Sequence, residues 1–448
     1  MSVRQELLDA IVTPGVFDRP YPDLQSKQLE AARALFAERK EQIGLLRRRA
    51  QDAGVTEIAS LADLVPLLFA HTAYKSYPQS FIDQGRWDRM GQWLQTLSVD
   101  RTDNVDVSGV RDVDDWIHRL REAGHMVLAT SGSSGKCSFL NHTRGDSAMK
   151  RRHASVAVGW PFVRGAQDRA CFFLGPSEGP NSAIEAAQNN AANFGRPGDI
   201  HFLTDEPLLM SDISRAAALR TRMAEGTVTP GEIEAFEADS RAKAARMDAA
   251  LDAMTEKILA RRHEPIYLTG LWAQHMMIIA RARKLGVGDG EFHPQSVISA
   301  GGGVKGVALP EDYKEQVARF YGDVIRPTAY GMTEMAQMMP RCEHMRYHRP
   351  PGLIWLLLDA AGERLLSAED GHNGIVEGRF GFLDLLYEGR WGGLISGDKV
   401  SIDFAPECPC GRPGPTILDT ITRFSQSGDD HIGCAGTIDS YIRSSLTS

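Results

Sequence analysis

The sequence predicts an α/β fold, and three observations carry that prediction. Strand and helix patterns alternate from Pro265 to Tyr330, brief apolar runs end in glycine-rich loops, and after Leu353 the texture changes to short strands separated by glycines. Alternation of this kind argues for helices packed on a largely parallel sheet. At 448 residues the chain exceeds the size at which a single core stops growing, so more than one subdomain is expected.

Taken in order, Leu29 to Ala53 and Val113 to Ala123 carry apolar residues at helical spacing, so the first third reads as mainly helical. His125 to Ala129 fits a short buried strand, and Ala170 to Leu174 fits a second, closed by Gly175-Pro176. Helix is expected again from Pro207 to Arg262. Within it, Thr229-Pro230-Gly231-Glu232 is a start signal: a threonine cap, proline in the first turn, and glutamate three residues after the cap. Strands are then expected at Pro265–Thr269, Ser296–Ser299 and Val324–Tyr330, with a helix through Trp272 and Met276 to Leu285. Ile375 to Phe380 and Gly393 to Ile402 read as strands of a small β subdomain spanning residues 340–415.

The hydrophobic fraction of 42% and charged fraction of 24% are ordinary for a globular protein. A net charge of −8 argues against non-specific nucleic-acid binding, which needs lysine and arginine to neutralise phosphates. Met1 to Glu6 lacks the apolar core of a signal peptide and no apolar run is long enough to span a bilayer, so the expectation is a cytoplasmic protein without a membrane partner. Six cysteines in a chain of this length do not make a disulfide framework.

The most informative stretch is Thr130-Ser131-Gly132-Ser133-Ser134-Gly135-Lys136, which follows the apolar run at Leu128. Glycines let backbone N–H groups approach an anion, hydroxyls add donors, and lysine adds a mobile positive charge, so the loop is suited to a polyphosphate. A Walker loop needs four residues between its glycines and a hydroxyl residue after the lysine; here two residues separate Gly132 from Gly135, and Cys137 follows Lys136. Further along, Ala329-Tyr330-Gly331-Met332-Thr333-Glu334 offers a ring for stacking and a carboxylate for Mg²⁺. Ser299-Ala300-Gly301-Gly302-Gly303 gives a strand end that can lie close to a flat ligand, and Ile395-Ser396-Gly397-Asp398 places a carboxylate after a turn, suited to paired sugar hydroxyls.

In this order, and followed by Asp429-Asp430, the motifs resemble those of the adenylate-forming superfamily of acyl-CoA synthetases, adenylation domains and luciferases, with the nearest likeness to its phenylacetate-CoA ligase-like members. The resemblance covers residues 125 to 436. It implies a large N-terminal domain of helix-flanked sheets plus the β subdomain, over residues 1–428, then a hinge and a stub of a C-terminal domain over 429–448. It further implies that Thr130 to Lys136 touch the ATP phosphates and that Gly301, Gly302 and Gly303 flank the adenine. Tyr330 would stack on that ring beside Gly331 and Met332, with Thr333 and Glu334 at the α-phosphate and magnesium. Asp398 would bind the ribose, assisted by Arg423. Lys136, Thr333 and Glu334 are then the catalytic set. Trp272, His275 and Met276, at helical spacing, would line a pocket for an aryl or compact apolar acid, although such a stripe also serves as plain core.

A second constellation lies in the last third. Cys342 and His344 or His348 precede Cys408-Pro409-Cys410-Gly411, and some phenylacetate-CoA ligase-like proteins carry a similar pattern. Thiolates and imidazoles are the preferred zinc ligands, and Cys342, His348, Cys408 and Cys410 would make a closed structural site, His348 being favoured by its spacing.

Superfamily members continue past the hinge for about a hundred residues, the size of a small domain. Here Asp430 is followed by eighteen residues, so the usual carboxylate-orienting lysine has no match, and Lys136, Lys305, Lys399 or a partner protein would supply that charge. The implied reaction is ATP-dependent formation of an acyl-adenylate, then transfer to an amine or a thiol such as CoA or a carrier protein; a homodimer is compatible with this. Two other readings are an acyltransferase acting through Cys434 or Cys137, and a nucleotide- or acyl-binding sensor or scaffold that has lost catalysis.

Overall fold

The computed structural model describes residues 1–130, 136–302 and 308–427. The chain divides into two compact units, Val158–Thr328 and the remainder, Met1–Ala157 with Ala329–Ser448.

The first of these is a parallel α/β unit. Its strands run in the order Gly195–Thr204, Arg169–Pro176, Ile266–Leu271 and Val297–Gly301, and every neighbouring pair is parallel. Both faces of the central strands are buried: Ala170, Phe172 and Leu268 on one, Cys171, Phe173 and Tyr267 on the other. That is why these strands read as continuous apolar runs rather than alternating ones. The helical stretch expected from Pro207 is two helices, Met210–Ala224 and Pro230–Ala260. The break falls at the start signal, where Glu232 N donates to Thr229 Oγ1 at 3.4 Å and Thr229 N donates to Glu232 Oε2 at 2.9 Å. The strand expected at Val324–Tyr330 does not form as one element. Ile325 makes a single parallel bridge to Val297; Pro327 has no N–H to continue a ladder, and Ala329–Tyr330 pairs instead, antiparallel, with Met339–Pro340.

The larger unit combines helices with a seven-stranded sheet. Its main path is Arg346–His348, Thr416–Leu418, Gly393–Asp403, Ile375–Asp384, Leu353–Leu358, and Phe69–Ala70 and Thr422–Arg423 also pair with Gly393–Asp403. The helix expected at Leu29–Ala53 is broken into Leu24–Gln42 and Gly44–Asp52. Ile43 at the break is extended (φ −108°, ψ 110°) and buried, and Gly44 beside it is a poor helix former. Val113–Glu122 forms as expected, capped by Asp112, with Trp116, Ile117 and Leu120 turned inward. Leu128–Thr130 pairs antiparallel with Ser138–Leu140, so the glycine loop joins two strands of a hairpin rather than feeding a helix as a Walker loop does. Among the described residues, no helix is long and apolar enough to cross a membrane.

One buried carboxylate organises the segment after Ala329. Asp384, fully buried at the end of Ile375–Asp384, accepts hydrogen bonds from Ala336 N (2.8 Å), Gln337 N (3.1 Å), Gln337 Nε2 (2.7 Å) and Leu386 N (3.1 Å). Asp384→Ala would strand these donors away from water, each costing about 1 kcal/mol or more, so a loss of about 3–4 kcal/mol is expected in urea unfolding. A loss below about 1 kcal/mol would contradict this account.

Candidate active site and metal centre

The strand Gly393–Asp403 carries the key irregularity. Its partners on Ile375–Asp384 are Ile395↔Gly381 and Lys399↔Arg379, so the three residues Ser396, Gly397 and Asp398 bulge opposite Phe380 alone. Ser396 Oγ closes the bulge by donating to Phe380 O at 2.7 Å and accepting from Asp398 N at 3.1 Å. Asp398 then faces Tyr330, whose hydroxyl donates to Asp398 Oδ2 at 2.8 Å. On the other edge Asp398 is in register with Arg423, and Arg423 Nε lies 3.2 Å from Asp398 Oδ1. The Tyr330 ring is buried against Tyr347 and Phe380. Burial, reinforced by the Asp398 charge, pushes its hydroxyl far above the usual tyrosine range, so it remains a donor.

Glu334 lies four residues on. Its backbone carbonyl accepts from Arg390 Nη2 at 2.6 Å. Its carboxyl is raised above the ordinary range by burial; a hydrogen bond from its own backbone N–H and, after it, the Arg390 charge oppose the shift, and Asp398 adds to it. No lysine or arginine side chain forms an ion pair with this carboxylate among the described residues, so its oxygens suit a cation. Arg390 and Asp384, which fix the loop from both sides, are not signalled by any local motif in the sequence.

At the hairpin, Thr130 ends its strand and its Oγ1 accepts from Ser138 N at 3.4 Å. Lys136 donates to Tyr77 O and its ammonium sits 4.4 Å from the Tyr77 ring centroid, while Tyr77 Oη donates to Cys137 O at 2.9 Å. Ser131, Gly132, Ser133, Ser134 and Gly135 lie outside the described residues, as do Gly303, Lys305, Asp429, Asp430 and Cys434.

In the parallel unit, Gly301 ends the strand Val297–Gly301 and Gly302 takes a φ of +81°, which glycine adopts without strain. Trp272 and Met276 are half-buried against that unit's core. His275 is fully buried, with Nδ1 2.9 Å from Tyr321 Oη and Nε2 3.3 Å from Ser299 O; burial holds it neutral, down to about 4.

The second constellation closes. Cys342, His348, Cys408 and Cys410 bring their ligand atoms within 4.8 Å of one another. Two turns of the same design present them. Cys342 N donates to Arg346 O and Met345 N to Cys342 O; Cys408 N donates to Arg412 O and Gly411 N to Cys408 O. The residue before each closing arginine is left-handed, Met345 at φ 57° and Gly411 at φ 77°. Pairing of His348 with Thr416 sets the two turns side by side, and Arg412 ties them together through Glu343 at 2.9 Å. Cys342 Sγ lies 3.9 Å from Cys408 Sγ, and Cys410 Sγ 3.6 Å from His348 Nε2. Tetrahedral zinc, about 2.3 Å from sulfur and about 2.0 Å from nitrogen, puts its ligand atoms about 3.5–3.8 Å apart, so this donor set fits the ion. Burial holds His348 down to about 4, which keeps its imidazole neutral. Burial raises Cys342 and Cys408, the latter to about 12. At Cys410 burial is outweighed by hydrogen bonds, first from Arg412, and the thiol lies below its ordinary value. His344 is exposed on the first turn. A separate cleft of about 750 Å³, lined by Asp100, Arg101, His125 and Arg144 among others, contains none of these candidate residues.

No protein-family model matches the chain, and no curated protein matches it. Among solved structures it is similar to an acyl-CoA synthetase of Brucella canis, with 14% identity and a TM-score of 0.36 over 65% of this chain and 44% of that one. It is also similar to a protein of Rhodopseudomonas palustris described as a long-chain-fatty-acid CoA ligase, with 10% identity and a TM-score of 0.36 over 66% of this chain and 58% of that one. The chain thus covers about half the length of these structures.

The two partners of Asp398 differ in weight. Arg423 is 67% exposed, so its ion pair contributes about 0.2–1 kcal/mol, and Arg423→Ala should barely move the urea midpoint. Asp398→Ala strands the buried Tyr330 hydroxyl and should cost about 1–3 kcal/mol. Equal losses in the two variants would show that Tyr330 does not depend on Asp398.

Proposed function

We propose that the protein activates a carboxylic acid with ATP, releasing pyrophosphate and forming an acyl-adenylate that passes to a thiol or amine. The observation that carries this reading is the hydrogen bond between Tyr330 and Asp398, which joins two motifs 68 residues apart at a single site, with Glu334 alongside. In the proposed step a carboxylate oxygen of the acid donates its lone pair to the α-phosphorus of ATP. The bond from that phosphorus to the bridging oxygen breaks, and its electron pair leaves with pyrophosphate. Asp398 would accept hydrogen bonds from the ribose hydroxyls, and Thr333 would face the α-phosphate. Lys136, at the base of the glycine loop, would neutralise phosphate charge on exchanging its Tyr77 carbonyl for the nucleotide. Glu334 would hold Mg²⁺, which offsets the charge developing on the phosphate oxygens.

Trp272, His275 and Met276 are proposed to select an aryl or compact apolar acid, with His275 as a neutral, fixed ring behind the other two. Cys137 is 2% exposed, which favours an external acceptor over this thiol.

The cysteine cluster is proposed as a structural zinc site. Strand alternation supports a link from it to the nucleotide. On Arg346–His348, His348 joins the cluster while Tyr347 packs 6.0 Å from the Tyr330 ring.

Acid-dependent ATP–pyrophosphate exchange tests the main reading, with a panel of aryl, short-chain and long-chain acids. Exchange should appear with at least one acid, and Lys136→Ala should nearly abolish it; tight ATP binding without exchange for any acid would favour a sensor. Because burial raises Glu334, its ionised fraction falls as pH drops through a value above that of an ordinary glutamate. Exchange should therefore fail on the acid side earlier than ATP binding by Glu334→Gln does.

Elemental analysis of protein purified without chelator should find about one zinc per chain, lost in Cys408→Ser. Stripping the metal should weaken ATP binding through Tyr347, and unchanged ATP affinity in metal-free, folded protein would break the proposed link.

A further inference from the structure

We propose that Tyr77 is a positioning residue for Lys136, holding its ammonium ready for a nucleotide phosphate with its ring face and pinning the chain just after the lysine with its hydroxyl. This rests on the reading of Lys136 given above. Three contacts join the two segments. Lys136 Nζ donates to Tyr77 O and lies 4.4 Å from the Tyr77 ring centroid, and Tyr77 Oη donates to Cys137 O at 2.9 Å. The hydroxyl fixes where the lysine stem starts. Cys137 is buried, and while Tyr77 takes its carbonyl, Thr130 Oγ1 accepts from Ser138 N at 3.4 Å, so the two residues that follow Lys136 are held by separate elements. Ser76-Tyr77-Pro78 carries no phosphate-binding motif; only the fold brings it to Lys136, 59 residues on.

Tyr77 is itself rigidly held. Its buried ring meets the Trp93 ring edge to face, with centroids 5.0 Å apart, and lies 5.4 Å from Phe139, which in turn meets Trp116 at 5.3 Å. One residue earlier, Ser76 Oγ accepts from Trp93 Nε1 at 3.1 Å and donates to Ala73 O at 2.7 Å. The contacts to Lys136 differ in what becomes of them when a phosphate arrives. The carbonyl is a neutral acceptor, so an anionic phosphate oxygen displaces it. The ring face need not be given up, because the attraction of an ammonium to a π-system specifies no N–H direction and leaves its three donors free to turn to the phosphate. A free lysine stem loses rotamer freedom when it is ordered on a ligand, and one already resting on a fixed ring loses less. Packing between Trp93 and Phe139 would by itself account for a buried aromatic ring, so the experiment has to separate that role from one exerted through Lys136.

The test is calorimetric binding of ATP and of adenosine to the wild type, Tyr77→Leu, Tyr77→Phe, Lys136→Ala and the double variant Tyr77→Leu/Lys136→Ala. Adenosine carries no phosphate, so a contact that acts through Lys136 moves ATP alone. Tyr77→Leu should weaken ATP about three- to tenfold with adenosine unchanged. Tyr77→Phe keeps the ring and should lose about two- to threefold. Lys136→Ala should weaken ATP about tenfold or more, and adding Tyr77→Leu to it should bring no further loss, the coupling expected of residues that act as one unit. Equal weakening of ATP and adenosine in Tyr77→Leu, or additive losses in the double variant, would assign Tyr77 to the core alone and overturn the inference. Wild-type ATP affinity in Tyr77→Leu, while Lys136→Ala loses it, would overturn the inference and leave the reading of Lys136 standing. Tyr77→Met takes the place of Tyr77→Leu should thermal unfolding show that the leucine variant does not fold. ATP binding by Lys136→Ala at wild-type affinity, or none by the wild type, overturns the reading of Lys136 and the inference with it.

Discussion

The segment from Asp384 to Trp391 is a constraint on which the larger unit depends, because it buries a carboxylate and a guanidinium that do not pair with each other. Each has its own partners. Asp384 collects N–H groups from both sides of a turn, and Arg390 reaches a carbonyl and a hydroxyl. Both grip the same stretch, Asp384 at Ala336 and Gln337 and Arg390 at Glu334, so the loop that carries the candidate catalytic carboxylate is fixed at two points. Buried polar networks of this kind stabilise only when complete, since a half-satisfied member costs more than an apolar residue would. The surroundings add to it: Arg4 donates to the carbonyls of Leu385, Leu386 and Tyr387, and Trp391 Nε1 donates to Leu67 O, while Arg390 Nε and Gln337 Oε1 are buried without a hydrogen-bond partner among the described residues. There is no room to rearrange, for a Cβ at Gly392 would strike the Asp384 carbonyl.

How far this was legible in the sequence depends on whether a signal is local. Cysteines are rare and the turn residues beside them are distinctive, so the cluster of Cys342, His348, Cys408 and Cys410 is legible from its spacing and from the resemblance that its pattern carries. The capping box at Thr229 and Glu232 and the helix at Val113–Glu122 were legible for the same reason. Asp384 and Arg390 were not. An aspartate ending a strand and an arginine before a tryptophan look like ordinary surface residues until the fold buries them, and their partners lie 48 and 56 residues away. The misread strand at Val324–Tyr330 shows the opposite failure: the apolar content was sufficient, but Pro327 removed the donor that a ladder requires. The break at Ile43 was lost because burial of that one side chain outweighed a helical pattern that otherwise ran on.

The two cysteine turns show how one local geometry can be reached with different residues. Gly411 adopts its left-handed conformation freely, whereas Met345, at a similar φ, pays a steric penalty of about 1–2 kcal/mol. Met345 is 50% exposed, so no burial of its side chain offsets that strain. The compensation must come from the hydrogen bonds of Cys342 with Arg346 and Met345, and from whatever the four converging ligand atoms hold. A bound cation is the simplest such source. It would also explain why three thiols and an imidazole converge within 4.8 Å with no disulfide among them.

The bulge at Ser396–Asp398 is the structural reason that the sheet can present a site at all. In a regular antiparallel ladder, side chains alternate strictly and Asp398 would be fixed in register against Ile375–Asp384. Setting three residues opposite Phe380 releases Asp398 from that pairing. It can then meet Tyr330 from one side while Thr422–Arg423 pairs along the other edge. The serine is needed to pin the bulge, because its hydroxyl takes the Phe380 carbonyl that the ladder leaves open and receives the Asp398 N–H in return. Ser-Gly-Asp is therefore a description of a β-bulge before it is a description of a ligand contact. Its chemistry follows from the geometry: a carboxylate freed from a ladder, held by one buried hydroxyl and one exposed guanidinium, and left with acceptor capacity for a further pair of donors.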